Sequence, residues 1–215
     1  MQLFERLTDD PAEWETLAEI ESLTNPRIRD QIGDIRLVPP DERVSGPGAS
    51  WVMASFTHLN PRGSRFSDGS YGVYYAAREL ATAIAETVFH LGRFYGETAD
   101  PPHAEDMRVL SGRVDARFHD VRGDPRWRPC LDPDDYGASR KLGRWLRAQG
   151  SSGLVYPSVR RAGGQCLGAF RPKAVGIPVQ GRHLQYHWDG QRISRYFDYL
   201  EERWIALEPT STPPG

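Results

Sequence analysis

The length, composition and charge of the chain exclude several classes of protein. Its 215 residues are 39% hydrophobic, which is enough for one domain with a buried core. The formal charge of −2 leaves no large basic surface, so a primary role in nucleic-acid binding is disfavoured. The two cysteines, Cys130 and Cys166, suit neither a disulfide framework nor a metal site, and no apolar run approaches the ~18 residues of a membrane span. We therefore expect a cytoplasmic protein with reduced thiols, no membrane segment and no metal.

The first part of the chain predicts a helical extension that leads into the main domain. Asp10 is a suitable N-cap and Pro11 fits the first turn of a helix. The stretch 37–50 is rich in proline and glycine and predicts a connector. Residues 51–57 alternate weakly between apolar and polar types and are interpreted as the start of the core sheet. These patterns predict an extension at 1–48 and a main domain at 49–208.

The segment 64–90 predicts a turn, a short strand and a helix. Arg65 precedes a run of serine, aspartate and glycine, and 73–75 is typical of a short buried strand. Apolar residues then recur at spacings of four, four and three, which predicts a helix with one apolar stripe: Leu80, Ile84, Val88 and Leu91. Glu86 lies on another face among small residues that leave room for it in a cleft. The alternative is a solvated carboxylate or an ordinary pair with His90.

The second half of the chain mixes loop, helix and strand signals. The stretch 101–135 predicts mostly loop, with one strand candidate near 107–114. A helix is predicted at 139–150, with Ser139 as its N-cap and Gly150 as its end. Its predicted apolar stripe is Leu142, Trp145 and Leu146.

The C-terminal region predicts a hairpin and then a disordered tail. Asp189-Gly190 lies between two strand-like runs, which is a strong signal for a hairpin. His183 and His187 lie four apart in the first of these runs, but no third ligand accompanies them and no metal site is predicted. Residues 209–215 are expected to be disordered. Together the elements predict an α+β domain with a bent or split sheet.

Several polar and aromatic residues follow one another in a distinctive order. They are Arg65-Phe66, Gly69, Tyr75, Glu86 and Pro157-Ser158. This order and its spacing resemble the RES-domain toxins of bacterial toxin–antitoxin modules, and 153–170 resembles the serine segment of that family with the strand after it. Two departures are visible. Phe66 stands where tryptophan or tyrosine is expected, and Gln165-Cys166-Leu167 replaces an asparagine-containing strand.

The resemblance implies an ADP-ribosyltransferase-like fold and NAD+ as the substrate. Glu86 is then expected to stabilise the positive charge that develops on the ribose when the nicotinamide bond breaks. Ser158 is expected to preorganise the site through a hydrogen bond to Arg65, to Glu86 or to the ribose. A turn or capping serine is the alternative, and no Gly-x-Ser-x-Gly motif surrounds Ser158 that would indicate a nucleophile.

The resemblance also implies a set of residues that bind NAD+. Arg65 would bind a phosphate through its planar guanidinium, although an ion-paired structural arginine is the ordinary alternative. Tyr75 would offer a face to the nicotinamide, with Tyr74 or Tyr71 as a second wall and Phe66 beside them. Since neighbouring strand residues face opposite ways, only one of Tyr74 and Tyr75 can face the site, and we choose Tyr75.

The family resemblance further implies a partner and leaves the acceptor of the ADP-ribose open. A cognate Xre-like antitoxin is expected to cover the active site, and neither nucleic acid nor a membrane is an expected partner. The acceptor is water, phosphate or a side chain of a target protein, and the result would be growth arrest. A different class of function is a catalytically silent module that keeps this fold only to bind a partner protein or a nucleotide.

Overall fold

The computed structural model describes residues 33–207, and the predicted helix at Asp10 and the tail 209–215 lie outside this range. Three α-helices are described: α1 (Ala49–Thr57), α2 (Leu80–Thr98) and α3 (Gly137–Ala148). Four 3-10 turns accompany them: Ile35–Leu37, Pro40–Glu42, Pro125–Leu131 and Pro172–Ala174. No helix within this range is long and apolar enough to cross a membrane.

Within the described range, eight strands form two sheets, which gives the α+β class that the sequence predicts. They are β1 (Tyr74–Ala77), β2 (His103–Ser111), β3 (His119–Asp120), β4 (Gly153–Pro157), β5 (Gln165–Ala169), β6 (Val179–Trp188), β7 (Ile193–Asp198) and β8 (Arg203–Ala206). The first sheet has the order β1-β5-β4-β3, with β3 and β4 parallel. The second has the order β2-β6-β7-β8 and is antiparallel. This division agrees with the split sheet expected for the fold.

The chain divides into two compact units. The described part of the first comprises 33–75, Gly112–Val155 and Leu167–Pro178. The second comprises Ala76–Ser111, Tyr156–Cys166 and 179–207. Each unit has its own hydrophobic cluster, so each holds its functional side chains on a packed base.

In the second unit, helix α2 packs on the antiparallel sheet. Ile84 and Tyr95 belong to one buried cluster with residues of β6 and β7, and the rest of the predicted apolar stripe of α2 packs against that cluster: Leu80, Val88 and Leu91. The predicted stripe is therefore confirmed. The predicted hairpin is also confirmed, because Asp189 and Gly190 follow β6 directly and Gly190 has a φ of +95° that favours glycine. An additional strand, β8, extends this sheet.

In the first unit, the prediction of a strand at 51–57 is wrong, because these residues lie in helix α1. The buried side chains of α1 include Val52, Met53 and Phe56. Their spacings of one and three match one face of a helix, and they join Val175 in the cluster of this unit. A short run of apolar and small residues fits the period of a helix as well as that of a strand, so the packing of the buried face determines which of the two forms.

Helix α3 begins and faces differently from the prediction. It starts at Gly137, so Ser139 is not the N-cap but a buried residue whose hydroxyl donates to the main-chain oxygen of Arg65 at 2.6 Å. Leu142 and Leu146 are buried as predicted, whereas Trp145 is 57% exposed. The exposed indole leaves the helix with a narrower apolar stripe than the sequence indicates.

Candidate active site

Glu86 occupies the centre of a hydrogen-bonded cluster in the second unit. Because the apolar stripe of α2 packs against the sheet, the rotation of the helix is fixed and Glu86 lies on a different face, half-buried. The Ser158 hydroxyl donates to Glu86 Oε1 at 2.6 Å. The Cys166 thiol donates to the same oxygen at 3.7 Å. Glu86 is therefore a held carboxylate rather than a freely solvated side chain of a helix.

The loop after β4 orients the Ser158 hydroxyl. The Ser158 oxygen accepts hydrogen bonds from the main-chain N–H groups of Arg160 and Arg161, each at 3.1 Å. A hydroxyl has two acceptor sites and one proton, so with both sites occupied its proton is available for Glu86. Glu86 is one of the three partners expected for Ser158 from the sequence, and its contact with a ribose stays a prediction.

Gly164 closes this loop. The Ser158 N–H donates to the Gly164 oxygen at 2.9 Å. A Cβ atom at Gly164 would lie 2.8 Å from side-chain atoms of Thr82 on α2, which is closer than real contacts allow. The absence of a side chain at Gly164 thus lets the loop approach the helix that carries Glu86.

Cys166 is the second donor to Glu86 and was not predicted as a site residue. It lies in β5 and is 5% exposed. Burial, followed by the charge of Glu86 and the hydrogen bond to it, raises the pKa of the Cys166 thiol to about 12. The sulfur therefore keeps its proton near neutral pH and acts as a donor, not as a nucleophilic thiolate.

Two arginines of the same loop are held against α2. The Arg160 guanidinium carbon lies 3.3 Å from the centre of the Phe89 ring, three residues along the helix from Glu86. Arg161 pairs with Glu79 at 3.0 Å and contacts the Thr82 hydroxyl at 3.3 Å. The loop is thus held against α2 by the Ser158 hydroxyl and by the side chains of Arg160 and Arg161.

Arg65 is built into the first unit. Its residue is 8% exposed, and its Nη1 donates to the main-chain oxygens of Asp132 at 2.7 Å and Cys130 at 3.3 Å. The guanidinium carbon also lies 4.5 Å from the centre of the Tyr136 ring. These contacts give Arg65 a structural role, and its role in binding a phosphate stays a prediction.

Tyr75 and Tyr74 face different surroundings. The Tyr75 hydroxyl accepts the Phe66 N–H at 3.0 Å and lies 2.8 Å from the Ser64 hydroxyl, so the polar end of the ring is fixed while 37% of the residue is exposed. Burial of this hydroxyl raises the Tyr75 pKa to about 12. Tyr74 instead packs against the buried cluster of the first unit. Tyr75 is thus the more exposed of the two, and its contact with the nicotinamide stays a prediction.

Phe66 and Tyr71 pack inside the first unit. Phe66 has 0% of its surface exposed, and Tyr71 has 8%. The Tyr71 hydroxyl donates to the Phe66 oxygen at 2.5 Å, and its ring meets Phe170 edge-on. Their burial shows a structural role, and their predicted contact with a dinucleotide stays a prediction. The side chains hold the segment that carries Arg65 and Tyr75.

The predicted site residues therefore fall into two sets. Glu86 and Ser158 are in contact within the second unit. Arg65 and Tyr75 lie in the first unit, with the two buried rings between them in sequence. Sequence reasoning missed Cys166 and the ring that Arg65 stacks on. The one signal for Cys166 was its place in the strand where the family pattern has a different polar residue.

Comparison with known proteins identifies the family. A family model described as the RES domain matches residues 41–189. The chain is also 32% identical over 185 residues to the "Uncharacterized protein y4oC" of Sinorhizobium fredii (strain NBRC 101917 / NGR234), an alignment that covers 86% of this chain and 76% of that protein. The chain belongs to the RES-domain family, so the resemblance drawn from Arg65 to Ser158 is confirmed. This family is associated with NAD-related toxin–antitoxin modules.

Proposed function

We propose that this protein cleaves the bond between nicotinamide and ribose in NAD+, with Glu86 as the catalytic carboxylate. The observation that carries the proposal is the Glu86 side chain held at Oε1 by Ser158 at 2.6 Å. A carboxylate fixed in this way can stabilise the oxocarbenium-like ribose of the transition state without reorganising as charge develops.

The chemistry requires one carboxylate rather than two. The bond between ribose C1′ and the nicotinamide nitrogen breaks with its electron pair passing to the ring, which leaves as neutral nicotinamide. No general acid is needed at the leaving group, in contrast to ordinary glycoside hydrolysis. An acceptor oxygen or nitrogen then bonds to C1′, and its proton passes to the solvent. The second oxygen, Oε2, is suited to hold the ribose 2′-hydroxyl.

The remaining roles rest on membership of the RES-domain family. Arg65 is proposed to bind a phosphate of the dinucleotide and Tyr75 to pack against the nicotinamide. In a cell, the protein would act as a growth-arresting toxin that a cognate antitoxin neutralises by covering the active site. Water, phosphate or a target protein would accept the ADP-ribose.

The test is nicotinamide release from NAD+ by the purified protein, followed by chromatography in plain buffer, in phosphate and in cell lysate. Release in plain buffer would identify a glycohydrolase, and release that depends on phosphate a phosphorylase. Release only in lysate, together with labelled protein bands, would identify a protein ADP-ribosyltransferase. If no condition releases nicotinamide above the level of Glu86→Ala, the proposal is wrong and a binding module becomes the better account.

A further inference from the structure

We infer that Cys166 is a positioning residue of the active site, whose thiol fixes the Glu86 carboxylate so that Oε2 is presented to the ribose. This inference rests on the proposed function of Glu86. It adds to that function a residue with no role in the expected family pattern, and it assigns different roles to the two carboxylate oxygens.

The geometry of the two donors carries the inference. Ser158 approaches Glu86 Oε1 at 2.6 Å from the loop after β4, and Cys166 approaches the same atom at 3.7 Å from β5. Two donors on one oxygen, arriving from separate segments, restrict rotation about the last bond of the side chain. Within residues 33–207, both hydrogen bonds to Glu86 go to Oε1, which leaves Oε2 as the oxygen for a ligand.

The state of the thiol suits this role. Cys166 is 5% exposed, and its raised pKa keeps the sulfur protonated at neutral pH. A thiolate beside Glu86 would repel the carboxylate, whereas a thiol donates to it. A hydrogen bond from a thiol is weaker than one from a hydroxyl, so Cys166 contributes more to the orientation of the Glu86 carboxylate than to the binding of substrate.

The test compares a variant without the donor with one that keeps it. Cys166→Ala should lower kcat for nicotinamide release roughly three- to tenfold with KM unchanged, because the carboxylate acts mainly in the transition state. Cys166→Ser should retain kcat, since its hydroxyl can donate to Glu86 Oε1. Cys130→Ala removes the other buried thiol while leaving its main-chain oxygen in place, and it should match the parent. Equal kcat values for the parent and for Cys166→Ala would overturn the inference.

An infrared measurement tests the hydrogen bond independently of catalysis. The S–H stretching band of Cys166 is assigned by its loss in Cys166→Ser. In Glu86→Ala it should move to higher frequency, because the acceptor is gone. A band that does not move would overturn the inference even if nicotinamide is released. If the band shifts but the parent protein releases no nicotinamide, the proposed function is wrong, whereas the hydrogen bond between Cys166 and Glu86 is confirmed. If Cys166→Ala does not fold, Cys166→Val offers an apolar replacement with more bulk.

Discussion

Replacing Ser158 by alanine tests whether the bond to Glu86 matters for catalysis. The change removes the 2.6 Å hydrogen bond to Oε1 and also the acceptor of the Arg160 and Arg161 N–H groups. The first loss affects the carboxylate, and the second affects the loop. The two effects can be separated, because one appears in the rate and the other in the unfolding temperature.

The expected sizes follow from these contacts. A hydrogen bond to a charged group contributes about 1.5–3 kcal/mol, so its loss in the transition state lowers kcat by roughly 10- to 100-fold. The loop amides are partly exposed and water can replace the lost oxygen, so we expect a cost near 1 kcal/mol, or about 2–4 °C in Tm for a chain of this length. KM should change little.

The assay is steady-state nicotinamide release at 25 °C with Tm measured by calorimetry on the same samples. Ser151→Ala is the matched control, because the Ser151 hydroxyl makes comparable 3.1 Å bonds to the main chain of Gly153. It should lose some Tm and no activity. If Ser158→Ala kept the kcat of the parent while its Tm fell as expected, Ser158 would be a loop residue only and the reasoning would be refuted.

Two further predictions concern stability. Arg65→Ala should lower Tm even without substrate, because it removes charged hydrogen bonds to the main-chain oxygens of Asp132 and Cys130. An unchanged Tm in calorimetry would contradict the structural role of Arg65. Raising the pH above about 9 should destabilise the fold. The Cys166 thiol has an ordinary pKa of 9.0 in the unfolded chain but a pKa of about 12 in the folded protein. Between these two values the unfolded chain binds fewer protons than the folded protein, so the free energy of unfolding falls as the pH rises. In urea unfolding, the free energy of unfolding should fall less at alkaline pH for Cys166→Ser than for the parent. Equal decreases in the two proteins would contradict the raised pKa.

The sequence predicts secondary structure best where a long periodic pattern of apolar residues coincides with the buried face of an element. Helix α2 satisfies this condition, since four apolar residues over three turns specify both the helix and its buried side. The segment of α1 does not, because seven residues of mixed apolar and small types fit a strand as well as a helix. Trp145 shows a related limit, as a large apolar residue on the expected stripe that remains exposed.

The candidate site was predictable only in part, because its contacts join distant parts of the chain. Glu86 and Ser158 were both identified from their order along the chain, but their hydrogen bond spans 72 positions and only the fold determines it. The sequence predicts Cys166 only as a reduced thiol, because neither its residue type nor its spacing indicates a carboxylate partner 80 positions away. The hydrogen bonds from Arg65 to main-chain oxygens cannot be predicted from the sequence for the same reason, because their acceptors lie far along the chain.

The central claim is that Glu86 performs the cleavage, and a comparison of two isosteric variants on α2 tests it most directly. Glu86→Gln removes the negative charge and should lower nicotinamide release on the order of 10²–10³-fold. Glu97→Gln alters an exposed carboxylate on the same helix, paired with Arg93, and should leave the rate unchanged. Equal rates of NAD+ cleavage by Glu86→Gln and the parent protein would contradict the account.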